Sequence, residues 1–494
     1  MDTWQFVSLG VAALLSWLYW LERKKRLEAT SARDQALHAL QSKHALDDIT
    51  GALSPEAFDN ALEEAAQQAD RQAGSFSVLA VSLDNFALIE DGFGQEQSMQ
   101  VLRLAAQRLM DCAGPGSKVC KGTAGQFFIL AQGGADVGVD LAGRVKAALA
   151  QPFDLASNKA HSTGSIGIAV YPEHGARAKV LANASLAMRS LKNSGGDDYC
   201  VYDPKMAVQA RDEAVLVNEL RLAVEANQFD LYFQPKIDAK SLQVTAAEAL
   251  LRWHHPTRGF VSPVVFIPLA EKYGLMGPIG NWVIEEACRT LAVWLESGLR
   301  MRVAVNLSGY QMRQDNLVEH IESVLQRYGV RPNNFTCEIT ETVAMEDTQA
   351  TKLTFEKMRK AGFHVSIDDF GTGYSSLGSL RRLPAAELKI DRAFVTDLEE
   401  SEEARSIAKS VIDMARALNL KVIAEGVETR GQCEVLVQMG CDELQGFLFS
   451  MPIRADELQH MAMNRHSAET AEFRDSLYAT NFVTNLGTIN TTRH

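Results

Sequence analysis

The sequence contains no Cys-x-x-Cys pair. Its seven cysteines (Cys112, Cys120, Cys200, Cys288, Cys337, Cys433 and Cys441) are scattered, and the nearest two stand eight residues apart. A disulfide scaffold and a structural zinc site are therefore excluded as organising features, and a reducing compartment fits. A surplus of positive charge is also missing. The 49 Lys and Arg face 62 Asp and Glu, a net charge of -13, which argues against a DNA or RNA polymer as partner. The composition of a disordered chain is absent too, since 46% of residues are hydrophobic and 22% charged. At about 100–200 residues per domain, 494 residues predict two to four domains with cores of their own.

One long apolar run is present. Trp4 to Leu21 reads WQFVSLGVAALLSWLYWL, without a charge. As a helix it is about 27 Å long, close to the bilayer core of about 30 Å. Trp4 at one end and Trp17, Tyr19 and Trp20 at the other suit the two interfaces, and Arg23-Lys24-Lys25-Arg26 follows. A cleaved signal peptide carries its basic residues before the apolar run, the reverse of this order. The expectation is a single-pass membrane anchor, with the remainder cytoplasmic. Residues 22–46 then read as a charged helical linker.

From about Asp47 to Asp203 the pattern is mixed. A strand is expected at Phe76–Leu83, a helix at Glu96–Cys112 and a hairpin over Lys118–Ala131 that turns at Gly122-Thr123-Ala124-Gly125. A helix at Val137–Ala150, a strand at Ser165–Val170, a helix at Lys179–Lys192 and a strand at Tyr199–Tyr202 follow. The order β-α-β-β-α-β predicts an antiparallel sheet with packed helices. Met206–Glu213 reads as a polar, helical connector.

The second half changes character. Short apolar strands at Phe229–Phe233, Val244–Leu251, Arg302–Leu307, Thr336–Ile339, His364–Ile367, Leu388–Ile390, Val422–Ala424 and Glu443–Phe447 alternate with helices as far as Met461. Eight such units predict an α/β barrel of parallel strands. A polar tail follows.

At or just beyond these strands stand Glu248, Asn306, Glu338, Asp368-Asp369, Lys389, Glu425 and Gln445. In a barrel such positions converge on the C-terminal end, where active sites form. Crowded carboxylates repel one another, and divalent cations resolve the conflict. An all-oxygen donor set points to Mg2+ or Mn2+ rather than zinc. Adjacent Asp368 and Asp369 can bridge two ions, the arrangement for phosphodiester hydrolysis, and Lys389 can face developing negative charge. One such acid alone is most simply a solvated side chain or a helix N-cap. A matched set is better explained by a metal-dependent phosphodiesterase. His254-His255 could be ligands, but exposed loop histidines are the simpler reading; Cys337 and Cys441 read as buried thiols.

The motifs that carry these residues resemble a known family. Glu248-Ala249-Leu250, continued as Leu251-Arg252-Trp253, is similar to the signature of the EAL cyclic di-GMP phosphodiesterases. The likeness runs from about Glu213 to Met461, through FQPK (Phe233–Lys236), VNLS (Val305–Ser308), EITE (Glu338–Glu341), DDFGTGYSSL (Asp368–Leu377), LKID (Leu388–Asp391), AEGVET (Ala424–Thr429) and QGFLFSMP (Gln445–Pro452). The resemblance implies a modified TIM barrel that opens cyclic di-GMP to linear pGpG with two Mg2+ or Mn2+ ions, lowering a messenger of biofilm and motility. Carried over by position, Glu248, Asn306, Glu338 and Asp368 would hold one ion, and Asp368, Asp369 and Glu425 the other. Glu248, Lys389 and Glu425 would be catalytic. Gln234, Leu250, Arg252, Asp391 and Gln445 would meet substrate, and Glu341 would hold the DDFGTGYSSL loop, where Gly371 and Gly373 allow a bend. A homodimer through the barrel is implied as well. The rival is a non-hydrolytic sensor of the same dinucleotide, which the complete acidic set opposes.

The first domain resembles the GGDEF diguanylate cyclases over about Asp47–Asp203, through DDITGALSPEAF (Asp47–Phe58), SLDNF (Ser82–Phe86), SIGIAVYPEHG (Ser165–Gly175) and AMRSLKNSG (Ala187–Gly195). Its active hairpin instead reads Thr123-Ala124-Gly125-Gln126-Phe127, with neither carboxylate. Ser82 stands where the family has a metal-binding Asp, and Glu90 where it has a guanine-binding Asn. Lys192 survives at a phosphate-contacting position. The expectation is a degenerate, regulatory domain without cyclase activity.

Overall fold

A computed structural model describes residues 45–155, 158–346, 348–371 and 380–463. The chain divides into two compact units between Glu213 and Ala214. The expected anchor Trp4–Leu21, most of the linker and most of the polar tail lie outside the described residues. Among those residues no helix is long and apolar enough to cross a membrane.

In the first unit, β1 (Phe76–Leu83) is buried along its whole length. It runs beside β3 (Gln126–Gln132), which pairs with β2 (Lys118–Lys121). The short β4 (Phe153–Asp154) and β5 (Lys159–Ala160) pair apart. On the other side of β1 lies β6 (Gly164–Tyr171), then β7 (Tyr199–Val201), giving the order β2-β3-β1-β6-β7. Alternation along β1 feeds two cores. Leu79, Val81 and Leu83 join Val101, Leu109, Leu141 and Val145 of the helices Gln95–Ala113 and Ala135–Leu149. Phe76, Val78 and Ala80 join Phe58, Leu62, Ala184 and Met188 of the helices Pro55–Gln72 and Arg177–Asn193. This is the period of two that a strand covered on both faces requires.

Two details depart from the sequence reading. The last strand, β7, is parallel to β6 rather than antiparallel, because the helix Arg177–Asn193 carries the chain back across the sheet before β7 begins. The helix Pro55–Gln72 was not expected, although its start is written in the sequence: Ser54 caps Ala57 N at 3.3 Å, and Pro55 occupies the first turn.

The second unit starts within the helix Pro204–Ala223, which absorbs the expected connector. Strand β8 (Phe229–Asp238) is followed by β9 (Val244–His255) and its short hairpin mate β10 (Gly259–Val261). Then come β11 (Arg302–Asn306), β12 (Phe335–Thr340), β13 (His364–Phe370), β14 (Glu387–Ile390), β15 (Lys421–Ala424) and β16 (Glu443–Leu444). Strands β9 and β11–β16 are parallel neighbours in chain order, and β8 closes the ring by pairing with both β9 and β16. The closed sheet is TIM-barrel-like.

The expectation of eight parallel strands fails at β8, which is antiparallel to both neighbours. The link from Asp238 to Val244 is a tight turn in which Asp238 Oδ1 accepts from Ser241 N at 2.7 Å. A parallel return needs a crossover of roughly a dozen residues or more. The last strand is also shorter than expected, ending at Leu444 rather than Phe447.

Alternation sorts the barrel residues. Ala247, Ala249 and Trp253 of β9, Val303 and Val305 of β11, Cys337 and Ile339 of β12, and Leu388 and Ile390 of β14 belong to the outer hydrophobic core. Of the residues between them, Glu248, Glu338 and Lys389 face the interior. His254 and His255 are part of β9 rather than a loop. His255 is buried, its Nδ1 accepting from Arg258 N at 3.2 Å and its Nε2 3.4 Å from Glu219, which makes it a local structural strut.

In the first unit, Gly167 on β6 admits the helix Arg177–Asn193 against the sheet. A Cβ there would stand 2.1 Å from Met188 N and 2.2 Å from Ala184 O. Because those are backbone atoms, the whole helix would have to move. Gly167→Ala should cost about 2–4 kcal/mol of stability, read as a lower denaturant midpoint for the first unit.

Candidate active site

Glu248, Glu338, Asp368 and Asp369 reach the site through their places on strands, and Glu425 follows β15 directly. Glu248 pairs across with Gln234 of β8 and beside Ala304 of β11; Asn306 is level with Glu338, and Thr340 with Asp368. The adjacent acids need a special device, since neighbours on a regular strand point to opposite faces. The pairing of β13 with β14 jumps from Ile367–Leu388 to Phe370–Ile390, so Asp368 and Asp369 together oppose the single residue Lys389. Asp369 takes a left-handed φ of 53° in this bulge, a conformation Asp tolerates better than most residues.

At the centre stands Lys389, with a side chain only 1% exposed. Its Nζ lies 2.6 Å from Glu425 Oε1, 3.0 Å from Asp368 Oδ2, 3.3 Å from Glu338 Oε2 and 3.4 Å from Glu248 Oε2. Glu248 is fixed further: Asn306 Nδ2 donates to Oε1 at 2.8 Å and Gln445 Nε2 to Oε2 at 2.7 Å. Gln445 Nε2 also donates to Gln234 Oε1 at 3.0 Å, and Gln234 Nε2 to Ser450 O.

The charges do not share one fate. Burial pushes the Glu248 carboxyl up, but Lys389 and Lys236, with the amides of Gln445 and Asn306, outweigh it and hold it at about 2. Burial, reinforced by Glu248, raises Glu338 to about 7 despite Lys236 and Lys389. Burial raises Glu425 to about 8 against the pull of Lys389, and burial and then Asp368 raise Asp369. Burial opposes the charge on Lys389, yet Asp368, Glu248, Glu338 and Glu425 hold it protonated well above the usual lysine range. The five carboxylates therefore exceed what the lysines alone can balance.

Two acidic triads fit a divalent cation: Glu248, Glu338 and Asp368, and Asp368, Asp369 and Glu425. Within each, one ligand atom per residue lies within 4.8 Å of the others. The donors are hard oxygens, and Glu338 Oε2 is buried without a hydrogen bond. The residues present fit a metal.

The remaining expected positions surround this group less tightly. Leu250 and Arg252 follow Glu248 at two-residue steps on the same face of β9 and are half-buried. Arg252 Nη1 donates to Leu251 O, and its guanidinium lies 5.7 Å from the Tyr232 ring centre. Asp391 caps the short turn Arg392–Phe394, accepting from Ala393 N at 2.9 Å. Glu341 is buried, and its Oε2 accepts from Gly371 N at 2.7 Å. Gly371 has φ +100°, and a Cβ there would meet Phe394 at 2.6 Å. Gly373 and the loop over 372–379 lie outside the described residues.

The sequence reading overlooked Lys236, whose Nζ donates to Glu338 Oε1 at 2.5 Å. It also overlooked a second polar layer. There Arg302 bonds Glu387, reaches Glu443 at 3.3 Å, and Thr245 Oγ1 donates to Glu443 at 3.1 Å. The signal existed: Gln234 and Lys236 are two apart on one strand, hence on one face.

A barrel whose C-terminal end gathers overlapping carboxylate triads about a buried lysine defines a class, the TIM-barrel-like proteins with an acidic site able to hold a divalent metal. The comparisons narrow it. An EAL-domain model matches residues 217–452, and a model of the diguanylate cyclase GGDEF domain matches residues 44–198. The chain is 38% identical over 416 residues to the bifunctional diguanylate cyclase/cyclic di-GMP phosphodiesterase MucR of Pseudomonas aeruginosa, covering 83% of this chain and 61% of that one. It is 33% identical to the cyclic di-GMP phosphodiesterase PdeR of Escherichia coli, covering 83% and 62%. Among solved structures, the EAL enzyme Bd1971 in its cAMP- and cyclic-di-GMP-bound form matches with TM-score 0.50 and 30% identity, covering 62% of this chain and 82% of that one. The chain belongs to the family that joins a GGDEF domain to an EAL domain. It spans about three-fifths of the length of the first curated relatives it matches.

The raised carboxyls give a pH signature. Glu338 and Glu425 bind protons more tightly folded than unfolded, so their stabilising contribution is complete below the ordinary value of 4.5 and is lost as pH climbs through about 7 and about 8. Chelator-treated chain should melt at progressively lower temperature between about pH 4.5 and about pH 8, and Glu338→Gln with Glu425→Gln should flatten the slope. A flat or rising profile in the unsubstituted chain would contradict the assignment.

Proposed function

We propose that this chain is a divalent-metal-dependent phosphodiesterase that hydrolyses cyclic di-GMP to linear pGpG. The observation that carries this reading is the pair of acidic triads sharing Asp368 around Lys389. The names of MucR and PdeR support the same substrate. Glu248, Asn306, Glu338 and Asp368 would hold one Mg2+ or Mn2+, and Asp368, Asp369 and Glu425 the other. When bound, two such ions lower the pKa of a water and draw charge from a phosphodiester.

The protein's own groups do the rest. Gln234 and Gln445 steady Glu248 through one amide chain, so its lone pairs point the same way in every cycle. Arg252 presents a planar donor suited to a phosphate, with the Tyr232 ring near its face. Leu250 adds apolar contact for a base. Lys389, its ammonium favoured by the surrounding carboxylates, would face negative charge as it develops on the phosphate. Glu425 would serve as a ligand of the second ion, its Oε1 steered by Lys389 Nζ at 2.6 Å.

The first unit is read as a regulatory domain without cyclase activity. Its hairpin turn Thr123–Gly125 carries no carboxylate, and the Ser82 hydroxyl accepts from Lys192 at 3.1 Å. Among the described residues, the two groupings of acids close enough to share an ion both lie in the second unit. Trp4–Leu21 and the basic run Arg23–Arg26 support an inner-membrane anchor with cytoplasmic domains, and a homodimer through the barrel completes the reading.

The full chain, incubated with cyclic di-GMP and Mn2+ or Mg2+, should release pGpG; binding without turnover would make it a sensor instead. Glu248→Ala should lower turnover about a hundredfold or more. GTP offered in the same assay should yield no cyclic dinucleotide, and any reproducible product would reverse the assignment of the first unit. Removal of residues 4–21 should shift the protein from the membrane fraction to the soluble fraction; sedimentation of both forms with membranes would argue against the anchor.

A further inference from the structure

The buried lysine that the proposed mechanism leaves unused is Lys236. It sits on β8, the one antiparallel strand of the barrel, two residues beyond Gln234 and on the same interior face. Its side chain reaches Glu338 on β12, which is not a neighbour of β8 in the sheet, so the contact spans the barrel interior. Both side chains are sealed from solvent, 1% and 0% exposed, with 2.5 Å between Nζ and Oε1. The other carboxylate oxygen, Oε2, accepts no hydrogen bond, and Glu338 belongs to the triad with Glu248 and Asp368.

We infer that Lys236 is a positioning residue: it holds Glu338 by Oε1 and leaves Oε2 as the single oxygen offered to a divalent ion. A carboxylate with both oxygens free can chelate through either or both, and can rotate between them. One that is pinned by a buried ammonium offers a single oxygen in a fixed direction. Lys236 also keeps Lys389 in place. Lys389 Nζ stands 3.3 Å from Glu338 Oε2 and 2.6 Å from Glu425 Oε1. Without Lys236, Glu338 has Lys389 as its remaining cation and draws it from Glu425 and Asp368, disturbing both triads together. The effect of Lys236 therefore passes through Glu338 and is felt at the metal.

The inference rests on the metal reading above, and the test separates the two. Mn2+ is titrated by calorimetry, without nucleotide, into the full chain, Lys236→Met, Glu338→Gln and the double variant. Lys236→Met should weaken Mn2+ binding about tenfold in the native background and change it by less than about twofold in the Glu338→Gln background. Equal losses in both backgrounds would reduce Lys236 to general structural support, and unchanged or tighter binding in Lys236→Met would overturn the inference. Should Lys236→Met not fold, the double variant leaves no buried carboxylate unpaired, and a difference of more than about twofold between it and Glu338→Gln would overturn the inference. A native chain that takes up no Mn2+ overturns the metal reading first, and this inference with it.

Discussion

The second unit depends on the charge balance around one ammonium group. Lys389 lies inside a barrel with four carboxylates within 3.4 Å. Removing ions from water costs several kcal/mol each, and only close, complementary pairing repays it. Here the repayment is incomplete by design of the sequence, for acids outnumber lysines in the same space. The surplus negative charge suits the pocket to cations, and its burial raises the carboxyls of Glu338 and Glu425 toward neutrality.

Geometry turns that balance into a site. Seven strands deliver their interior side chains to one end because they run the same way, while β8 delivers Gln234 and Lys236 from the opposite direction. The bulge at Asp368–Asp369 supplies what regular pleating cannot, two consecutive carboxylates on one face. Outside the ring, Trp253, Phe229, Phe266 and their neighbours seal the barrel with apolar surface, so the polar interior is held rigidly by a hydrophobic exterior. The first unit inverts this arrangement: its central strand is apolar on both faces and its helices cover both.

Much of this was legible in the sequence, for identifiable reasons. Short apolar strands of three to eight residues with a charged residue or amide in or just after them made Glu248, Glu338, Asp368 and Lys389 recoverable from the sequence. Strand direction was not recoverable from pattern: nothing in Phe229–Asp238 distinguishes parallel from antiparallel, and only the shortness of the turn at Asp238–Val244 carried that information. The role of Lys236 was hidden because its partner lies 102 residues away, across the barrel. His255 was misplaced because its partner Glu219 lies on the helix Pro204–Ala223, which the sequence reading ended at Glu213.

The antiparallel strand has a consequence for biosynthesis. Strand β8 is the first of the barrel to leave the ribosome, and one of its two edges stays unpaired until β16, the last, is made. Any sheet formed in that interval is open, with two exposed edges, the state most prone to pair with a neighbouring chain. Closure at Glu443–Leu444 brings Gln445 onto Glu248 and Gln234 in the same event. The pocket is therefore completed by the final strand, and a chain arrested before it would hold most of the acids without the ring that aligns them.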